Sequence, residues 1–158
     1  MKTKYADLNN LRVLIVDDDD LVRDSLSLLF EFLGCQARAL DTAEKGEQAL
    51  RKDSYDAIIS DHRLPGMSGL NFLKLAGELS PRAPRILVTG YGDHYLVSAA
   101  REEGIEGYLE KPLSVEDLCR CLRKVLGHAG STADNGSAAA PPAYSAPTGE
   151  PAAKCTTG

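Results

Sequence analysis

Asp61 follows the apolar run Ala57-Ile58-Ile59 and opens the stretch Asp61-His62-Arg63-Leu64-Pro65-Gly66-Met67. Two other apolar runs end in matching chemistry: Val13-Leu14-Ile15-Val16 leads into Asp17-Asp18-Asp19-Asp20, and Tyr108-Leu109 leads into Glu110-Lys111-Pro112. Thr89 closes a further run that begins at Ile86. Carboxylates gathered in one pocket raise one another's pKa unless a cation is present. Lys111 supplies one positive charge. A hard divalent ion such as Mg²⁺, which takes a few carboxylates, waters and a phosphate oxygen, would supply two more. A carboxylate nucleophile, a metal, a hydroxyl and an ammonium suit phosphoryl transfer onto Asp61, with the metal and Lys111 neutralising charge on the equatorial oxygens. The sequence has no Gly-x-x-x-x-Gly-Lys-Ser/Thr loop and no Gly-x-Gly-x-x-Gly after its first apolar run, so a nucleotide cradle is not indicated. No His or Cys cluster has zinc spacing.

For these residues to meet, the tips must lie along one edge of one sheet. The runs 13–16, 35–39 (the weakest), 57–60, 86–89 and 107–109 are short and not cleanly alternating, as expected of parallel strands covered on both faces. Helical patterns lie between them, marked by Leu21, Leu28, Leu29 and Phe32, then by Leu70, Leu73, Ala76 and Leu79, and finally by Leu118, Leu122, Val125 and Leu126. Asp41-Thr42-Ala43-Glu44 and Ser114-Val115-Glu116-Asp117 resemble capping boxes, and Gly34 and Gly104 sit where helix C-caps belong. Five β-α units predict an α/β fold, an open parallel sheet with helices on both faces. Ligands bind such sheets beyond the carboxyl ends of the strands, where strand order reverses. Asp17, Asp18, Asp61, Thr89 and Lys111 are therefore expected to converge.

The 158 residues suffice for one domain with a real core. A net charge of −5 with no Lys/Arg-rich block argues against direct nucleic-acid binding. No apolar stretch approaches the ~20 residues needed to span a bilayer, and Met1 to Asp7 lack the apolar core of a signal peptide. The expected setting is cytoplasmic, without membrane insertion. Cys35, Cys119, Cys121 and Cys155 are scattered, and Cys119 and Cys121 fall on different faces of a helix, so neither a disulfide framework nor a metal site is indicated. Residues 128–158 contain no Leu, Ile, Val, Phe or Met and are expected to form a disordered tail rich in Ala, Pro, Gly, Ser and Thr. Residues 1–11 form an N-terminal extension.

Several polar residues have plainer readings. Asp19 and Asp20 fit a solvated loop, with Asp20 as a cap for the first helix. His62 should point away from its neighbour at a strand end. His94 and His128 have no supporting constellation, and Arg101-Glu102-Glu103 reads as a solvated helix face.

Four motifs, in order, carry a resemblance: Val-Leu-Ile-Val-Asp-Asp at 13–18, Asp61-x-x-x-Pro65-Gly66-Met67-x-Gly69, Val-Thr-Gly at 88–90 and Tyr-Leu-Glu-Lys-Pro at 108–112. Residues 12–127 resemble the receiver domain of a two-component response regulator, of the stand-alone, chemotaxis-regulator-like kind. The resemblance implies a flavodoxin-like (βα)5 doubly wound parallel five-stranded sheet of order 2-1-3-4-5. It implies that Asp61 is the phosphoacceptor, that Asp18 and Asp61 ligate Mg²⁺ directly and Asp17 through water, and that Arg63 contributes its backbone carbonyl. Thr89 and Lys111 would bind the phosphoryl oxygens. Tyr108 occupies the switch aromatic position, turning inward when Thr89 moves towards the phosphate. Arg63 and Tyr91 occupy the two positions that adjust the lifetime of the phosphoryl group.

The function implied is a phosphorylation-activated switch, not an enzyme in the ordinary sense, that assists its own phosphorylation and dephosphorylation. Its donor would be a histidine kinase or a histidine phosphotransfer protein. Its output would be a changed protein-binding surface read by a downstream effector, with a phosphorylation-dependent homodimer left open. Alternatives are a phosphorelay intermediate, a receiver fragment cut from a larger regulator, and a metal-dependent phosphatase with an aspartyl intermediate, which Asp17-x-Asp19 also fits.

Overall fold

The computed structural model describes residues 4–90 and 92–129. The expected tail from 130 onwards and Tyr91 lie outside the described residues. Five strands form one parallel sheet in the order β2-β1-β3-β4-β5. They are β1 (Arg12–Val16), β2 (Gln36–Leu40), β3 (Ala57–Asp61), β4 (Arg85–Thr89) and β5 (Gly107–Glu110). The helices are α1 (Asp20–Phe32), α2 (Ala43–Lys52), α3 (Gly69–Leu79), α4 (His94–Glu102) and α5 (Val115–Ala129). The pattern predicts the open parallel sheet, and the strand order is the flavodoxin-like (βα)5 one that the resemblance implies.

Alternation along the strands divides the core in two. Val13, Ile15, Ala57, Ile59, Ile86 and Val88 pack with residues of α1 and α5. Leu14, Val16, Ile58 and Leu87 pack with residues of α2, α3 and α4 on the other face. Both faces are buried under helices, which is why β1 and β3 read as continuous apolar runs. β2 is an edge strand with a mixed exposed and half-buried pattern, and its sequence signal is correspondingly weak.

Two expectations shift in detail. Leu21, Leu28 and Phe32, which mark α1 in the sequence, are 78%, 67% and 76% exposed, and the helix instead buries Leu26 and Phe30, with Leu33 just beyond its end. α1 carries apolar residues at helical spacing on two faces, so periodicity identifies the helix without identifying its inner side. The first helix is capped by Asp19 rather than Asp20: its Oδ1 accepts from the Leu21 and Val22 N–H groups at 2.9 and 3.3 Å. Asp20 opens the helix and pairs with Arg23.

Gly34 and Gly104 end α1 and α4 as expected, at φ 76° and 73°. After α1, Cys35 N–H reaches the Phe30 carbonyl and Gly34 N–H the Glu31 carbonyl; after α4, Ile105 and Gly104 repeat the pattern with Ala100 and Arg101. These crossed bonds require the left-handed conformation that glycine adopts without penalty. The N-terminal segment is more integrated than an extension: Ala6–Leu8 form a short 3-10 helix, Leu8 is buried, and Asp7 pairs with Arg123 of α5 at 2.6 Å. Among the described residues no helix is long and apolar enough to cross a membrane.

Candidate functional site

Strand register assembles the site. Val16 of β1 lies opposite Ser60 of β3, so Asp17, just past β1, and Asp61, the last residue of β3, stand side by side at one edge. Asp61 lies opposite Val88 of β4, and Thr89 lies opposite Glu110 of β5. The Lys111 N–H bonds the Thr89 carbonyl at 2.9 Å, which extends the β4–β5 pairing by one step and sets the lysine at the same edge.

The acidic residues expected to meet do meet. Ligand oxygens of Asp17, Asp18 and Asp61 all lie within 4.8 Å of one another, with Asp17 and Asp61 buried and Asp18 exposed. Lys111 Nζ stands 3.2 Å from Asp17 Oδ2 and 3.4 Å from Asp61 Oδ1. Burial pushes the Asp61 carboxyl above its ordinary range; Lys111 opposes the rise and the charges of Asp17 and Asp18 add to it. Burial also acts against the Lys111 ammonium, but the attraction of Asp61 and Asp17 outweighs it and its pKa is raised. The one ammonium thus pairs with two of the three carboxylates. An all-oxygen donor set with this residual charge fits Mg²⁺, which binds through one or two carboxylates and keeps several waters. Asp17, Asp18 and Asp61 would hold it.

Neighbouring groups fix these side chains. Asp17 Oδ1 accepts from the Asp19 N–H at 2.9 Å, and Arg23 Nη1 donates to the Asp17 carbonyl at 2.7 Å. The loop after Asp61 folds back tightly: Gly69 N–H bonds the His62 carbonyl at 2.8 Å, and a Cβ on Gly69 would lie 1.8 Å from the Asp61 carbonyl oxygen. Only glycine allows the start of α3 to approach so closely. His62 is half-buried, and its Nδ1 has no hydrogen-bond partner.

Thr89 and Tyr108 occupy the neighbouring part of the edge. Thr89 is buried, and its hydroxyl donates to the Leu109 carbonyl at 3.5 Å, the outer limit of such a bond. Tyr108 is half-buried and its hydroxyl donates to the Ile105 carbonyl. Both line a cavity of about 180 Å³ beneath the turn between β4 and α4, together with Gly90, Asp93 and Val97. The Arg63 side chain is 75% exposed, and its Nη2 lies 3.7 Å from Asp93 Oδ2. Asp93 escaped the reading of the sequence, although an Asp before a helical pattern is a legible N-cap signal.

A profile of the response regulator receiver domain matches residues 13–123. Among curated proteins, the chain is 34% identical over 115 residues to the C4-dicarboxylate transport transcriptional regulatory protein DctD of Pseudomonas aeruginosa, covering 73% of this chain and 25% of that protein. It is 31% identical over 117 residues to the transcriptional regulatory protein FixJ of Bradyrhizobium diazoefficiens, covering 74% and 57%. The chain therefore spans between a quarter and just over half of these relatives. Among solved structures, a CheY-like response regulator receiver domain protein from Methanospirillum hungatei superposes with TM-score 0.72 at 30% identity, over 77% of this chain and 98% of that one. The signal receiver domain of an HD domain-containing protein from Pseudomonas fluorescens gives TM-score 0.72 at 31% identity, over 78% and 99%.

Proposed function

As the chain belongs to the receiver-domain family of two-component response regulators, we propose that Asp61 takes a phosphoryl group from the phosphohistidine of a histidine kinase or phosphotransfer protein. The observation that carries this reading is the buried Asp61 carboxylate set within 4.8 Å of two further acids and 3.4 Å from the Lys111 ammonium. An Asp61 carboxylate oxygen attacks phosphorus, the P–N bond to the donor imidazole breaks, and its electron pair returns to the imidazole nitrogen. Lys111 neutralises charge on the transferring group. Thr89 offers its weakly engaged hydroxyl to a phosphoryl oxygen. Mg²⁺, held by Asp18, Asp61 and the Arg63 backbone carbonyl and by Asp17 through water, would supply electrostatic stabilisation of the equatorial oxygens.

The output proposed is a population shift. Thr89 moves towards the phosphoryl group, Tyr108 leaves Ile105 and turns into the space beside Thr89, and the face of α4, β5 and α5 changes for an effector or for a second copy. The cavity of about 180 Å³ that both residues line supports this. A cytoplasmic setting, and action through protein contact rather than direct nucleic-acid binding, belong to the same proposal.

Incubation with acetyl phosphate or a phosphohistidine donor and Mg²⁺ tests the reading. Stable labelling, lost in Asp61→Asn, is expected; no labelling of the wild type would sink it. A phosphatase would instead turn over a small phosphate ester many times in dependence on Asp17. Asp19, the acid that such a mechanism would need, is engaged in capping α1. A relay intermediate would pass its label to a second phosphotransfer protein. The receiver segment of a larger regulator is the remaining alternative, and DctD and FixJ are longer proteins of which this chain matches 25% and 57%. The reading frame beyond Gly158 decides that point.

A further inference from the structure

Four helices of this chain are capped by the side chain that precedes them: Asp19 bonds the Leu21 and Val22 N–H groups, Thr42 that of Lys45, Ser68 that of Asn71, and Ser114 that of Asp117. Helix α4 is the exception. Its N-cap position holds Asp93, among the best capping residues, yet the side chain makes no cap bond, and the backbone, at φ −87° and ψ 39°, is outside the extended region that capping uses. The carboxylate points elsewhere. It is 11% exposed, its Oδ2 has no hydrogen-bond partner, and its charge faces Arg63 Nη2 at 3.7 Å.

We propose that Asp93 has two exclusive uses, counter-ion of Arg63 or cap of α4, and that phosphorylation of Asp61 selects the second by drawing Arg63 away. The proposal rests on Asp61 being the phosphoacceptor. Arg63 lies two residues after Asp61, and its side chain is 75% exposed, so no packing opposes its leaving Asp93. A phosphoryl group carries more negative charge than a carboxylate and matches the guanidinium fork, so it competes for Arg63. Asp93 then holds a shielded carboxylate without a cation, a costly arrangement. The nearest remedy is the first-turn N–H groups of α4, at Tyr95 and Leu96, once ψ of Asp93 becomes extended. At present Leu96 N–H reaches only the Asp93 carbonyl, at 3.0 Å. The start of α4, with its exposed Tyr95, thereby reports the state of Asp61 by a route that does not pass through Thr89. Asp93 and Arg63 act here as positioning residues.

Amide hydrogen exchange at Tyr95 and Leu96 tests this, measured by NMR with and without Mg²⁺ and beryllofluoride. In the wild type, beryllofluoride should slow Tyr95 exchange about fivefold, the effect of one cap. Arg63→Gln should show slow exchange already without beryllofluoride. Asp93→Asn keeps the capping oxygen but loses the ion pair. It should also be slow from the start, and should bind beryllofluoride about twofold to fivefold more tightly because Arg63 is released. Asp93→Ala should stay fast in both conditions. The proposal is overturned if beryllofluoride occupies Asp61 and Tyr95 exchange does not change, or if Arg63→Gln and Asp93→Asn both behave as wild type. Absence of beryllofluoride binding in every chain would overturn the phosphoacceptor reading itself, and this proposal with it.

Discussion

Lys111 Nζ stands 3.4 Å from Asp61 Oδ1, and no other ammonium or guanidinium pairs with Asp61 among the described residues. The same ammonium stands 3.2 Å from Asp17. A single cation therefore holds two buried carboxylates at the edge of the sheet.

Lys111→Met should leave both acids without a cationic partner. Removing one member of a shielded pair is costly, and with Lys111 partly exposed the loss should be about 1–3 kcal/mol. Urea denaturation is the measurement. Millimolar Mg²⁺ should recover more stability in the variant than in the wild type, since both cations answer the same charge. Equal gains in the two chains would show that the acids are not jointly neutralised.

Asp61→Asn should stabilise the protein at neutral pH. Burial, the largest cause, raises the Asp61 pKa in the folded state. A raised folded pKa gives a contribution present below the unfolded value, about 3.9, and lost as pH rises through the folded one. The variant lacks this loss, so its advantage should be absent near pH 4, grow above it and then level off. At pH 7 it should melt roughly 3–6 °C higher, the shift that about 1 kcal/mol produces in a domain of this size. Thermal melts across this range check the sign. Mg²⁺ should raise the melting temperature of the wild type more than that of the variant.

Gly69→Ala should damage the site without touching any charged group. Its Cβ would fall 1.8 Å from the Asp61 carbonyl oxygen and 2.8 Å from His62 Cα, both backbone atoms. Either α3 or the loop after Asp61 must move, at a cost on the order of 2–4 kcal/mol. Phosphoryl uptake should fall with it. Gly127→Ala is the control: a Cβ there meets nothing within 4 Å, and a helical Gly→Ala change should add roughly 0.5–1 kcal/mol.

The parts of this molecule legible in the sequence are those set by short-range pattern. β1 and β3 are buried on both faces and read as unbroken apolar runs, and their tips announce Asp17 and Asp61. The convergence of these acids with Lys111 followed from topology, because parallel strands in one sheet end at one edge. What was less legible depends on tertiary choice. Leu21, Leu28 and Phe32 satisfy helical spacing as well as Leu26, Phe30 and Leu33 do, and only packing against the sheet selects the inner set. Among four consecutive aspartates, a one-residue difference in helix start decides whether Asp19 or Asp20 caps. The Arg63–Asp93 pair joins two loops 30 positions apart, and neither residue alone signals the other.

If Asp61 is phosphorylated as proposed, Arg63 should also bear on how long the phosphoryl group survives. Hydrolysis would need water to reach phosphorus opposite the Asp61 oxygen, and the family resemblance implies that Arg63 and Tyr91 occupy the two positions that adjust this step. Both are bulky residues, and an Arg63 guanidinium drawn to the phosphoryl group would stand in the way of water. Tyr91 lies outside the described residues, so its part rests on its position in the sequence. The double variant Arg63→Asn, Tyr91→Glu removes both obstacles and introduces groups able to hydrogen-bond an attacking water. Its phosphoprotein should decay about threefold to tenfold faster than wild type, a fall of roughly 0.7–1.4 kcal/mol in barrier. Release of label from purified phosphoprotein, followed with Mg²⁺ at one fixed concentration, gives the rate. Arg63→Asn alone should show part of the increase, which separates the guanidinium's contribution from that of Tyr91. Decay in the double variant equal to or slower than wild type would mean that these side chains do not hinder water, and would place control of the lifetime with Lys111 and Thr89 instead.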